Sequence, residues 1–236
     1  MINGHTIKRF SFFSFKAFKI ITLTLVLVFA QQLPAREKSA GTFKNGLPDS
    51  ESIQLLTLTQ VISPALINSF KSHLNDFLPL AKSHVVTLID FSLPSTVKRL
   101  WTINLNTGEI LLNTYVAHGR NSGNNIANQF SNIPESYQSS LGFYLTDQVY
   151  VGKHGNSMRL RGLEKNVNDK AWDRAIVVHG ADYATDAFIR KYGRLGRSYG
   201  CPAIPPEVTD EFIETVKDGS MIFIYHPRYE SQQLNT

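Results

Sequence analysis

Two side chains in the C-terminal half have the chemistry of acyl transfer. The chain's single cysteine, Cys201, stands in Arg197-Ser198-Tyr199-Gly200-Cys201-Pro202, and an imidazole, His179, ends the apolar run Ala175-Ile176-Val177-Val178 and is followed by Gly180. A thiol, an imidazole able to reach it and a backbone N–H facing the developing oxyanion are the minimum for transfer through a thioester. Gly200 and Pro202 restrict the backbone around Cys201 and favour a turn that presents its side chain and its own N–H in one direction. His179 ends a strand, where a rigid sheet gives way to a loop and side chains can be aimed into a cleft.

Each residue alone has a plainer reading. A lone Cys is commonly a buried small hydrophobe, and a His after an apolar strand is commonly a satisfied core or rim residue. The combination of the two with a glycine before the thiol is less frequent by chance. Between Asp186 and Glu207 lie Arg190, Lys191, Arg194 and Arg197 and no acidic residue. Positive charge near a thiol favours the thiolate, so a depressed Cys201 pKa is expected, and the same charges suit a substrate carboxylate. A solvated helix face accounts for Arg190 and Lys191 better than for Arg197. His118-Gly119 repeats the strand-end form and is a candidate to line the cleft, although a structural role fits the sequence better. Asp182 and Asp186 are positioned to orient His179 or to cap a helix start. No His or Cys pair has zinc-ligand spacing beside a suitable acid, so no metal is expected.

The elements that must hold these groups are short and β-type. Val85–Phe91, Arg99–Leu105, Ile110–Ala117, Leu141–Leu145, Val149–Val151, Met158–Leu163, Ala175–His179 and Met221–Tyr225 read as strands, with Asn106-Thr107-Gly108-Glu109 as a hairpin turn. Leu66, Ile67, Phe70, Leu74, Phe77, Leu78 and Ala81 recur at helical spacing after Ser63-Pro64, predicting an amphipathic helix over about 64–82 that docks on the domain. A second helix opens at Pro205-Pro206-Glu207 and ends at Gly219. The Asn- and Ser-rich stretch from Gly119 to Ser139 is too long for a simple connection and predicts an ordered loop or flap over a site. The expected fold class is mainly β, a sandwich or partly closed barrel with an N-terminal amphipathic helix and a few peripheral helices.

The chain is 236 residues long with a formal charge of +5, enough apolar material for one core. Lys8, Arg9, Lys16 and Lys19 supply most of that charge, and the remainder is nearly neutral, which excludes a polyanion-binding argument from bulk charge. Residues 1–30 have the basic start, apolar run (Ile20 to Ala30) and small residues at Val28 and Ala30 of a cleaved secretory signal. The apolar run is too short to span a bilayer. Residues 31–62 read as a linker, 63–228 as the catalytic domain and 229–236 as a C-terminal tail. In an oxidising compartment an unpaired thiol is a liability unless it is inert or kept for reactivity.

The His179-Gly180 pair followed by Ser198-Tyr199-Gly200-Cys201 resembles the signature of YkuD-type murein L,D-transpeptidases. Val116-Ala117-His118-Gly119-Arg120-Asn121-Ser122-Gly123, Ser136-Tyr137-Gln138-Ser139-Ser140-Leu141-Gly142 and Arg161-Gly162-Leu163-Glu164 are similar to the same family, over about residues 66–226. The resemblance implies a β-sandwich-like catalytic domain in the periplasm or cell envelope, acting on peptidoglycan stem peptides. Cys201 would attack the carbonyl before a terminal D-alanine, with His179 as base, the N–H groups of Gly200 and Cys201 as oxyanion donors, and Ser198, Tyr199 and Gly180 as support. Arg197 and His118 are the candidate substrate contacts. Two departures stand out: Tyr199 occupies the place of a common supporting His, and Pro202-Ala203-Ile204 replaces a continuation that usually carries an Arg or Asn. The resemblance implies stem peptides as partners and neither a metal nor an organic cofactor; no nucleic acid, no membrane after signal cleavage and a monomeric state are also expected. An L,D-carboxypeptidase or other cysteine peptidase on the same scaffold is the second reading, and an inactive cell-wall-binding domain the third.

Overall fold

A computed structural model describes residues 58–153 and 155–233. The expected signal over 1–30, most of the expected linker, and His154 lie outside the described residues. The end of that linker does not behave as a tether: a helical turn at Leu58–Gln60 buries Leu58, and Ile62 is buried beside it.

The fold is mainly β, as the alternating apolar runs predict. The strands are β1 (Val85–Asp90), β2 (Leu100–Asn104), β3 (Ile110–Thr114), β4 (Gly142–Gly152), β5 (Gly155–Gly162), β6 (Val177–Gly180), β7 (Ala203–Ile204) and β8 (Met221–Tyr225). They form one eight-stranded mixed sheet in the order β3-β2-β1-β8-β4-β5-β6-β7. β1 pairs with β8 in parallel and β6 with β7 in parallel, while the other neighbours are antiparallel. The runs 141–145 and 149–151 prove to be one strand, β4, because a bulge between Thr146 and Val149 breaks the alternation that the eye follows.

Helices cover both faces of the sheet. Successive side chains of β4 point to opposite sides, and each side meets a different helix. On one face Phe143 stacks against Phe223, Phe70 and Phe77, the last two carried by α1 (Pro64–Phe77). On the other, Thr146 donates its hydroxyl to the Val216 carbonyl at 2.6 Å, at the end of α3 (Pro206–Val216). α1 stops short of Lys82 because Pro79 has no N–H to donate and disfavours helical backbone before it; Leu78–Leu80 tighten into a 3₁₀ turn instead. A short helix, α2 (Asp186–Tyr192), is capped by Thr185 and closed by Gly193 at φ 73°. The expected tail contains a helix, α4 (Arg228–Gln233). It is held because Tyr229 is fully buried and donates its hydroxyl to the Glu164 carboxylate at 2.9 Å.

Candidate active site

One parallel pairing sets His179 beside the strand that follows Cys201. In the β6–β7 register His179 lies opposite Ala203, two positions after Cys201. Strands sit about 4.8 Å apart and rise about 3.3 Å per residue. Cys201 itself lies in the bend that leads into β7, so this pairing runs the residues that follow the cysteine alongside the end of β6. His179 is 6% exposed, and its Nδ1 lies 2.9 Å from the Gly180 carbonyl oxygen. A carbonyl can only accept, so Nδ1 is the protonated nitrogen and Nε2 carries the lone pair. Gly180 also lacks the Cβ that would collide with Thr209 and Pro206, which lets the start of α3 close against the strand end.

The turn before Cys201 is fixed by glycine and serine. Gly200 has φ +125°, and an added Cβ would meet the Gln138 carbonyl at 2.9 Å and Arg174 at 3.2 Å, so no other residue type fits without strain. Ser198 Oγ accepts the Gly200 N–H at 3.1 Å and donates to the Cys201 carbonyl at 2.6 Å. This engages the Gly200 N–H inside the turn, so the expected pair of oxyanion donors is reduced: the Cys201 N–H faces its own sulfur, together with the Val177 N–H.

The expected depression of the thiol pKa does not occur. Burial pushes the Cys201 thiol above its ordinary value, and the Val177 N–H, the Arg174 guanidinium and its own N–H pull it back in part. The neutral thiol points at the Ala175 carbonyl, 3.8 Å away. The cation acting on the sulfur is therefore Arg174, which the sequence reading passed over, and not the Arg190–Arg197 group. Arg190 pairs with Asp186 on α2. Arg174 also holds the 119–140 loop: it donates to the Ser131 carbonyl at 2.7 Å, Ser140 Oγ at 3.2 Å, Ser136 Oγ at 3.4 Å and the Gln138 carbonyl. Ser139 completes the attachment by donating to the Gly200 carbonyl at 3.1 Å. The loop is thus ordered and abuts the cysteine turn.

The other expected site residues divide. His118 is fully buried and is not a substrate contact. Its Nδ1 accepts from the buried Arg99 at 2.8 Å, and burial plus that guanidinium lower its pKa to about 3. It serves the site through its backbone, since the Ser198 N–H donates to its carbonyl at 3.0 Å. Arg197 ties the loop down by donating to the Gly123 carbonyl at 3.2 Å. Tyr199 turns outward, 65% exposed, with its ring 4.9 Å from that of Tyr137. Tyr183, also missed, lies within electrostatic reach of Cys201 and Tyr199, and burial pushes its hydroxyl up to about 12. Its signal in the sequence is its place just after His179-Gly180.

Among the described residues no helix is long and apolar enough to cross a membrane. No curated protein sequence matches the chain. Solved structures similar to it include an L,D-transpeptidase from Mycobacterium smegmatis, at 13% identity and a TM-score of 0.39 over 61% of this chain and 59% of that one. Another is the helical cell shape determining protein Pgp2 from Campylobacter jejuni, at 16% identity and a TM-score of 0.40 over 61% of this chain and 48% of that one. The chain thus spans less than two thirds of the length of these proteins. A model of the L,D-transpeptidase catalytic domain matches residues 62–225, from the residue before α1's cap to the end of β8, and the chain belongs to that YkuD-type family.

Proposed function

We propose that the protein is an exported L,D-transpeptidase, a cysteine acyltransferase working on peptidoglycan stem peptides in the periplasm or cell envelope. The observation that carries this reading is the β6–β7 register, which sets His179, with its Nε2 basic, beside the strand that Cys201 leads into. In the first half-reaction His179 Nε2 takes the thiol proton as Sγ attacks the carbonyl before the terminal D-alanine. The oxyanion draws on the Cys201 N–H. Collapse breaks the C–N bond, the departing D-alanine amine takes the proton from His179, and a thioester remains. An amine of a second stem then attacks, His179 accepts its proton, and the thiol is regenerated as the cross-link forms.

Burial raises the thiol's pKa, which favours proton transfer to His179 within the attack over a pre-formed ion pair. Two variants test the reading. Cys201→Ala and His179→Ala should each abolish D-alanine release from tetrapeptide stems. Persistence of release in Cys201→Ala would remove the nucleophile from the account. The products separate the two enzyme readings: mass spectrometry of treated sacculi shows new dimers for a transferase and trimmed tripeptides alone for a carboxypeptidase.

A further inference from the structure

Next to the cysteine turn a guanidinium lies to one side of a pair of neighbouring aromatic rings, with no described carboxylate against it. Arg120 Cζ lies 5.5 Å from the Tyr137 ring centroid and 5.6 Å from that of Tyr199. Its backbone is locked to the site, because the Arg120 N–H donates to the Ser198 carbonyl at 2.7 Å and Gly119 bridges to Ser198. No described carboxylate pairs with it. The surrounding field is positive: Arg194 and Arg120 both depress the Arg197 guanidinium, while Arg194 and Arg197 donate to carbonyls.

The ring that supports Arg120 is placed at a conformational cost. Tyr137 has φ 54° and Glu135 φ 61°, a left-handed backbone that bulky residues avoid. The neighbouring bonds enforce it: the Asn121 N–H donates to the Tyr137 carbonyl at 3.1 Å, and Asn121 Nδ2 donates to the Ser136 carbonyl at 2.9 Å. Gly119 is required beneath, since a Cβ there would stand 2.6 Å from the Tyr137 oxygen. Strain that several contacts maintain, ending in an exposed aromatic pair with a cation alongside it on the loop bonded to the cysteine turn, is what a ligand clamp needs. An arginine held by aromatic contacts and not by a carboxylate keeps its N–H fork available for bidentate binding of a carboxylate.

We propose that Arg120, presented by Tyr137 and Tyr199, binds a carboxylate of the peptide substrate and sets the preference of the site for acidic stems. This inference rests on the transpeptidase reading. A tetrapeptide stem offers two carboxylates, one on the terminal D-alanine and one on a diaminopimelate third residue. Both present the same planar anion, and amidating each in turn tells them apart.

The test compares wild type, Arg120→Gln and Arg120→Lys in D-alanine or D-alaninamide release from the parent stem and its two mono-amidated forms. The alkylation rate of Cys201 by iodoacetamide, a neutral probe, reports on the integrity of the turn. The expected result is a rise in KM of about 10- to 100-fold for Arg120→Gln on the parent stem. The rise should shrink to within about 3-fold on the stem lacking the carboxylate that Arg120 binds, with alkylation unchanged and Arg120→Lys intermediate. Equal losses on all three stems, or a fall in alkylation that matches the fall in turnover, overturn the proposal. Failure of wild type to release D-alanine defeats the transpeptidase reading instead and is seen before any variant is compared.

Discussion

Arg174→Met removes the cation that, among the described residues, acts on the sulfur, and the consequence can be worked from the contacts. A positive charge within about 4–6 Å of an acid lowers its pKa by ~1–3 units. Arg174 is half-buried and shares its N–H groups among four loop oxygens, and on Cys201 it ranks behind burial and the Val177 N–H. Its loss should therefore raise the thiol pKa further and lower the thiolate fraction at any pH below the pKa, each unit of such a shift being worth about 1.4 kcal/mol and a tenfold change in that fraction. The assay is the pH dependence of Cys201 alkylation by iodoacetamide. The wild-type rate should climb with pH through a pKa above the ordinary thiol value, and the Arg174→Met curve should lie higher still. Arg174→Lys keeps the charge with fewer donors and should fall between. A folded Arg174→Met protein with an unshifted or lower curve would refute the assignment of Arg174 as the thiol's cation.

His118, buried neutral with its pKa lowered to about 3, gives a sign to the acid limb of stability. A depressed pKa contributes stability in full above the ordinary value near 6.5 and loses it as pH falls through about 3. At about 1.36 kcal/mol per pH unit, protonating it costs the fold as much as about 5 kcal/mol. Urea unfolding between pH 7 and 3 should show that slope, and His118→Gln should flatten it. Gly200→Ala should destabilise by about 2–4 kcal/mol, through the positive φ and the collision with the Gln138 carbonyl; thermal melting measures it, and a loss below about 0.5 kcal/mol would mean that the turn is adjustable. Ser198→Ala leaves the Gly200 N–H and the Cys201 carbonyl without their shared hydroxyl. It should lower kcat for D-alanine release about 10- to 100-fold with little change in KM; a change confined to KM would place Ser198 in substrate binding.

The strands, the docking helix and the two candidate site residues were legible because their signals are local: period-two runs, Ser63-Pro64 before a helical stripe, a His-Gly at a strand end and a lone Cys after glycine. What stayed hidden is tertiary. Arg174 lies far before Cys201 in the chain and reaches it only because the Ala175–Val177 backbone passes the sulfur. His118 looked like a second strand-end imidazole, and its burial depends on Arg99, whose guanidinium is itself fully buried. β7 is a two-residue strand, too short for any periodicity, yet it sets the register of the site. The basic stretch 190–197 misled in the same way, since helix α2 and the loop carbonyls spend its charges away from the thiol.

The central claim is that Cys201 carries the acyl group. Intact-mass spectrometry of the protein, rapidly quenched after mixing with a disaccharide-tetrapeptide, tests it most directly. The account predicts an adduct of the substrate mass less D-alanine, mapped by peptide digestion to Cys201 and absent from Cys201→Ala, that decays as an amine acceptor is added. Cross-linked or trimmed product formed by Cys201→Ala at the wild-type rate, or an adduct mapping to another residue, would contradict it.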